Sequence, residues 1–74
     1  MEKIEQLGEI AAPYGKKISF QKIAYDNGFQ ILRMRIREGK RFTDMDLDVE
    51  TIQQLQGVFV KWLVDQAETE NVLE

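Results

Sequence analysis

The chain contains no cysteine and no histidine among its 74 residues. Without cysteine it can form neither a disulfide nor a thiolate zinc site, and without histidine it lacks the commonest metal ligand and the side chain that titrates near neutral pH. Ser19 is the only serine, and no imidazole is available to activate it as a nucleophile. Because the usual acid–base and nucleophilic groups are missing, we expect a protein that is not an enzyme and that binds no metal ion or cofactor.

Long apolar runs are missing as well. No segment approaches the roughly 20 apolar residues of a membrane-spanning helix, and residues 1–6 lack the apolar stretch of a signal peptide. We therefore expect a cytoplasmic protein without membrane contact. The terminal pair Leu73-Glu74 resembles a cloning remnant and is excluded from functional reasoning. Residues 69–74, which include this pair, are interpreted as a disordered tail.

The small size of the chain limits its core. Its 74 residues make one domain, and a single core of this size leaves only about 3–5 kcal/mol of net stability. Since disulfides and thiolate metal sites are excluded, self-association is the remaining common source of additional stability.

Residues 31–48 are complementary to themselves about Gly39-Lys40 and predict a β-hairpin. Folding the segment there places opposite charges together on one face and apolar side chains together on the other. A slip by one residue would destroy both patterns. The expected pairs are Arg35 with Asp44, Arg33 with Asp46, Met34 with Met45 and Leu32 with Leu47.

The segment before this hairpin predicts a further strand over residues 17–25. Asn27-Gly28 is typical of a two-residue type I′ turn, which places Ile23 opposite Leu32. The apolar residues of this strand change parity, so we expect a β-bulge near residues 21–22. With that bulge, Lys22 lies on the open face beside the arginines. Two further apolar pairs then follow, Phe20 with Met34 and Ile18 with Ile36.

The sequence predicts the structure of the C-terminal part of the chain more clearly than that of the N-terminal part. Residues 1–15 carry two glycines and a proline, and we interpret them as an irregular arm or short strand that ends in a turn at residues 13–15. Asp48 is placed to cap a helix that we expect to run from about Val49 to Glu68. The predicted fold class is thus α+β: an antiparallel β-meander of three to four strands, followed by one C-terminal helix packed on one face, with residues 16–68 as a single domain.

The predicted helix is too apolar for one layer of packing. Its apolar side chains cover an arc of roughly 240°, more than a three-stranded sheet can bury. We expect the surplus to form a homodimer interface, at which Gly57 would permit close backbone approach. An alternative is that the surplus packs on the N-terminal arm through Ile4, Leu7 and Ile10. The core stripe comprises Val49, Ile52, Leu55, Phe59 and Leu63; the candidate interface residues are Leu55, Val58, Phe59, Trp62 and Leu63.

Charge is segregated along the chain. The net charge is −3, yet residues 16–41 hold eight basic and two acidic side chains. Basic residues at alternate strand positions, with aromatics between them, are typical of a sheet that binds single-stranded nucleic acid. The facing Asp44 and Asp46 favour neutralisation instead, and we prefer this pairing, with Asp48 as a helix cap, to a carboxylate metal site. The candidate nucleic-acid-binding residues are Lys16, Lys17, Lys22, Arg33, Arg35, Arg37, Lys40 and Arg41.

The order of strands and helix, with Leu47-Asp-Val-Glu-Thr-Ile-Gln-Gln-Leu55 at their junction, resembles the PC4-like family of transcriptional coactivators over residues 16–66. The resemblance implies a homodimer that binds single-stranded DNA on a curved basic sheet. It would place Lys22, Arg33, Arg35 and Arg37 on the DNA-facing surface, and Phe59, Trp62 and Leu63 in the dimer interface.

Two functional hypotheses follow from the sequence. The first is a small non-enzymatic homodimer that acts by binding another protein. The alternative is single-stranded DNA or RNA binding through the basic sheet.

Overall fold

A computed structural model describes the backbone of residues 2–73 and the side chains of residues 2–69. It contains one antiparallel sheet whose four strands are neighbours in chain order, followed by one helix, which confirms the predicted α+β meander with a C-terminal helix. The elements are β1 (Lys3–Ala12), β2 (Lys16–Ala24), β3 (Gln30–Glu38), β4 (Arg41–Leu47) and α1 (Val49–Leu73).

The N-terminal segment is a complete edge strand and not an irregular arm. Strand β1 is 10 residues long and pairs with β2 along its whole length. A bulge between Gln6 and Gly8 lets the strand change phase, so that Ile4 lies opposite Ile23 whereas Ile10 lies opposite Ile18. The expected turn over Pro13–Gly15 is present as a short 3₁₀ segment.

The turn between β2 and β3 is one residue longer than the sequence suggested. The Tyr25 N–H donates to the Phe29 carbonyl at 2.9 Å, so residues 26–28 form a three-residue loop. Gly28 has a φ of 87°, but Asn27 does not share the left-handed conformation that a type I′ turn requires at both positions. The expected type I′ turn is therefore wrong.

This longer loop shifts the register near the turn and removes the need for a bulge in β2. Ile23 lies opposite Ile31 and not opposite Leu32. The bulge expected at residues 21–22 is wrong, because it compensated for a turn that was one residue too short. Lys22 consequently lies on the face opposite the arginines. The pairs farther from the turn, Phe20 with Met34 and Ile18 with Ile36, agree with the prediction.

The β3–β4 hairpin confirms the predicted register. Gly39 has a φ of 63° at the first position of the turn, which suits the type II′ geometry common in two-residue hairpins. All four predicted pairs are present: Arg35 with Asp44, Arg33 with Asp46, Met34 with Met45 and Leu32 with Leu47.

Helix α1 begins at the expected residue. The Thr51 N–H donates to Asp48 Oδ1 at 2.8 Å, which satisfies one of the free amides of the first turn. The helix continues through Leu73, beyond the expected end at Glu68 and into the segment interpreted as a disordered tail, because no proline or glycine follows Gly57. Glu74, the last residue of that segment, lies outside the described residues.

Among the described side chains of α1, those that the sheet partly buries lie at the start of the helix. Leu47 is buried, Ile52 and Leu55 are half-buried, and residues 56–69 are all exposed. The packing on one face is thus limited to the first two turns. Three members of the expected core stripe, Val49, Phe59 and Leu63, are 61–71% exposed in the isolated chain, so assigning them to the core of one chain was wrong.

The isolated chain has a very small core. Ile23 and Leu47 are the large apolar side chains buried among the described residues, and the polar Gln21 is buried two residues before Ile23. The Cα radius of gyration is 15.9 Å, whereas a compact chain of this length would have about 11 Å. The molecule measures 55 × 30 × 15 Å and is elongated.

Candidate interaction surfaces

One face of the sheet, the arginine face, carries the arginines of β3 and the carboxylates of β4. Side chains alternate between the two faces along each strand, so the register defines the members of this surface. Its members on β2, β3 and β4 are Lys17, Ser19, Gln21, Ile23, Ile31, Arg33, Arg35, Arg37, Phe42, Asp44 and Asp46.

Two of the arginines form two-point ion pairs with the neighbouring strand. Arg33 Nε lies 2.7 Å from Asp46 Oδ1, and Arg35 Nε lies 2.7 Å from Asp44 Oδ1. In each pair Nη2 donates to the second carboxylate oxygen, at 3.2 Å for Arg33 and 2.9 Å for Arg35. These hydrogen bonds lower the pKa of both aspartates below the ordinary value. The charges of Arg33 and Arg35 are therefore neutralised within the sheet.

Phe42 lies between two guanidinium groups on the arginine face. The Cζ atoms of Arg35 and Arg37 lie 5.5 and 5.9 Å from the centre of its ring, within the range of cation–π attraction. Arg37 Nε also donates to the Gly39 carbonyl at 3.1 Å. The ring remains 56% exposed, so this is the part of the face with an accessible aromatic and an exposed arginine.

The eight predicted nucleic-acid-binding residues do not share one surface. Lys17 is on the arginine face and its Nζ lies 3.3 Å from a Glu9 carboxylate oxygen. Lys22 and Arg41 lie on the opposite face, and Lys40 is in the β3–β4 turn. Lys16 is also on the opposite face, where its Nζ lies 3.1 Å from a carboxylate oxygen of Glu38. The placement of Lys22 was missed because the length of the Asn-Gly turn determines its face.

The second candidate surface is the helix patch, formed by Val58, Phe59, Trp62 and Leu63. These side chains line a shallow apolar depression on one side of α1, and each is 60–63% exposed. Residues 51–60 contain no charged side chain although they belong to an exposed helix. Four of the five candidate interface residues are thus brought together, and the fifth, Leu55, is half-buried one turn earlier.

The N-terminal strand does not cover the helix patch. Ile4, Leu7 and Ile10, the residues proposed to do so, are 51–55% exposed. Leu7 instead lines a depression beside the first helical residues, with Val49 and Ile52. The alternative in which the arm absorbs the apolar surplus of the helix is therefore wrong for the isolated chain.

The two carboxylates of β4 and that of Asp48, which follows the strand, have structural partners. Asp44 and Asp46 bind the arginines, and hydrogen bonds from the side chain and backbone of Thr51 lower the pKa of Asp48. In the part of the chain with described side chains, no three acidic groups converge as metal ligands would. The described part of the helix does not contain an apolar stretch long enough to cross a membrane.

Comparison with known proteins gives one match. The model of a family of unknown function, DUF6967, matches residues 1–65. The chain belongs to the DUF6967 family. No curated protein and no solved structure matches it. The matched region of this DUF6967 chain includes the whole sheet and the helix through the helix patch, so both candidate surfaces lie within the family segment.

Proposed function

We propose that this protein is a small non-enzymatic homodimer that acts as a protein-interaction module. The observation that carries the proposal is the surface of the isolated chain, which measures 6442 Å². A compact folded chain of 8.7 kDa would expose about 4,700 Å². The chain therefore exposes roughly 1,700 Å² more than a self-sufficient monomer of its mass.

The size of this excess fits a permanent dimer. If each of two copies buries it, the interface totals about 3,400 Å², within the range of obligate homodimers. The helix patch supplies large apolar and aromatic side chains of the kind that dominate such interfaces. In this arrangement the dimer, not the chain alone, is the stable folding unit.

The side-chain chemistry supports a binding role. Arg33 and Arg35 of the sheet are paired with Asp46 and Asp44, and the chain has no histidine or cysteine to act as a general base or nucleophile. What remains accessible is apolar helix surface and a partly neutralised sheet. Both features suit assembly with another polypeptide.

Sedimentation equilibrium over a wide range of protein concentration tests the proposal. Trp62 is the only tryptophan and is 60% exposed in the isolated chain, so its fluorescence reports on its own burial. We expect a dimer mass and a blue-shifted, weakly quenchable emission that reverts to a solvent-exposed spectrum on dilution. A folded monomer at high concentration with an exposed Trp62 would refute the homodimer.

A second candidate function is single-stranded nucleic-acid binding on the arginine face. The observation that favours it is the exposed Phe42 ring flanked by Arg35 and Arg37, since aromatic rings and cations at such spacing can stack a base and bind its phosphate. The PC4-like resemblance supports the same role. The ion pairs of Arg33 and Arg35 limit the charge that this face can offer.

Fluorescence anisotropy of labelled single-stranded DNA and RNA at two salt concentrations tests this second function. Arg37→Glu and Phe42→Ala should each weaken binding, and Arg37→Glu should also reduce its salt dependence. Arg41→Glu is the matched control, because this residue is close in sequence but lies on the other face. Equal loss for Arg37→Glu and Arg41→Glu, with no loss for Phe42→Ala, would indicate a nonspecific charge effect and not a binding face.

A further inference from the structure

The sheet face opposite the arginines carries a cluster of apolar side chains that is uncovered in the isolated chain. We call it the apolar face. Its outer members Ile10 and Met45 are 55% and 52% exposed, and the residues between them are only half-buried. The apolar face comprises Ile10, Ile18, Phe20, Met34, Ile36 and Met45.

The helix of the same chain lies beside this sheet face only near Leu47 and does not cover the apolar face. Helix α1 starts two residues after β4 ends, and among its described side chains only Ile52 and Leu55 are half-buried. A helix of 25 residues is about 37 Å long, and the longest strand has 10 residues, or about 33 Å. Since the molecule is 55 Å long, the helix extends past the sheet. The same chain thus presents an uncovered apolar face and an unpartnered helix patch.

We propose that, in the homodimer proposed above, each helix packs its patch on the apolar face of the other copy. This inference rests on the homodimer and adds its geometry. The contact is reciprocal, as a two-fold axis requires, so each copy contributes both a helix and a sheet face. The arrangement removes both apolar surfaces from water at once. A dimer formed by the two helix patches alone would leave the apolar face exposed.

The dimensions and charges of the two surfaces agree with this contact. Residues 56–69, the exposed part of the helix with described side chains, span about 21 Å, and four strands extend about 14 Å across the sheet. Residues 1–47 hold nine basic and seven acidic side chains, whereas residues 48–74 hold one basic and six acidic. The sheet segment is thus positive and the helix segment negative, which favours docking of one on the other.

Cross-linking of single-cysteine variants tests the geometry, because the native chain has no cysteine. Thr43→Cys places a thiol on the exposed rim of the apolar face, and Val58→Cys places one in the helix patch. The two variants are denatured together, refolded and treated with a short bis-maleimide. With one thiol per chain, every cross-linked product joins two copies. Ser19→Cys, on the arginine face, replaces Thr43→Cys as the matched control.

We expect the mixed Thr43→Cys and Val58→Cys product to exceed the mixed Ser19→Cys and Val58→Cys product several-fold. A dimer by sedimentation in which Val58→Cys links mainly to itself would show helix-to-helix pairing and overturn this inference. A dimer without preference between the two sheet positions would also overturn it. In both cases the proposed homodimer would stand, whereas a monomer by sedimentation would refute the homodimer and its geometry together.

Discussion

Truncation of one side chain in the helix patch tests the central proposal quantitatively. Leu63 is 63% exposed in the isolated chain. Complete burial of a leucine contributes about 1.5–3 kcal/mol, so covering the exposed part contributes about 1–2 kcal/mol per copy. The dimer contains two copies of this contact. We therefore expect Leu63→Ala to weaken dimerisation by about 2–4 kcal/mol, or roughly 30- to 700-fold in Kd.

The assay is sedimentation equilibrium of the native chain and of Leu63→Ala, with Trp62 emission followed on dilution of the same samples. Lys61→Ala is the matched control, since it lies on the same exposed stretch of helix but outside the patch. Circular dichroism at the dimer concentration establishes that each variant is folded. An unchanged Kd for Leu63→Ala, or an equal change for Lys61→Ala, would refute the assignment of the patch to the interface.

Three smaller predictions address the sheet and the turns. Tyr14 has a φ of 65° and is 95% exposed, so Tyr14→Gly should stabilise the protein by about 1 kcal/mol in urea unfolding, whereas Tyr14→Ala should not. Arg35→Asp or Asp44→Arg alone should lower the melting temperature, because each places two like charges opposite each other. The double exchange should restore most of the loss. No recovery in the double variant would show that the ion pair contributes nothing to stability. Because the folded-state pKa values of Asp44, Asp46 and Asp48 are lowered, stability should be level from about pH 5 to 8 and fall below about pH 4, as these groups become protonated. A loss of stability between pH 5 and 8 would contradict this assignment.

The sequence predicts the β3–β4 hairpin well because two independent patterns agree there. The charge pairs and the apolar pairs of residues 31–48 both require the observed register. The helix start is equally well predicted, since Asp48 is a capping residue placed before an apolar period. The sequence pattern of residues 1–15 is weak. We predicted an irregular arm or short strand there, whereas the structure has a complete strand.

The β2–β3 turn shows why the rest was harder to predict. Asn27-Gly28 suits either a two-residue or a three-residue loop, and the two differ by one step of register. That step decides whether Ile23 or Lys22 faces the arginines. Lys22 was consequently assigned to the candidate basic surface although it lies on the other face. Likewise, a 240° apolar arc shows that the helix needs cover, but periodicity does not distinguish cover by its own sheet from cover by a second copy.

A substitution at Gly57 separates the contribution of α1 to folding stability from its contribution to dimerisation. A Cβ at this position would meet nothing within 4 Å in the isolated chain. Gly57→Ala should therefore raise the free energy of unfolding by about 1 kcal/mol per chain, since alanine is the better helix former. At 100° per residue, Gly57 projects about 170° away from the middle of the helix patch, so the substitution should not weaken dimerisation. A more stable helix combined with a weakened dimer would mean that a partner backbone approaches at Gly57, and the interface would then lie on the opposite side of α1.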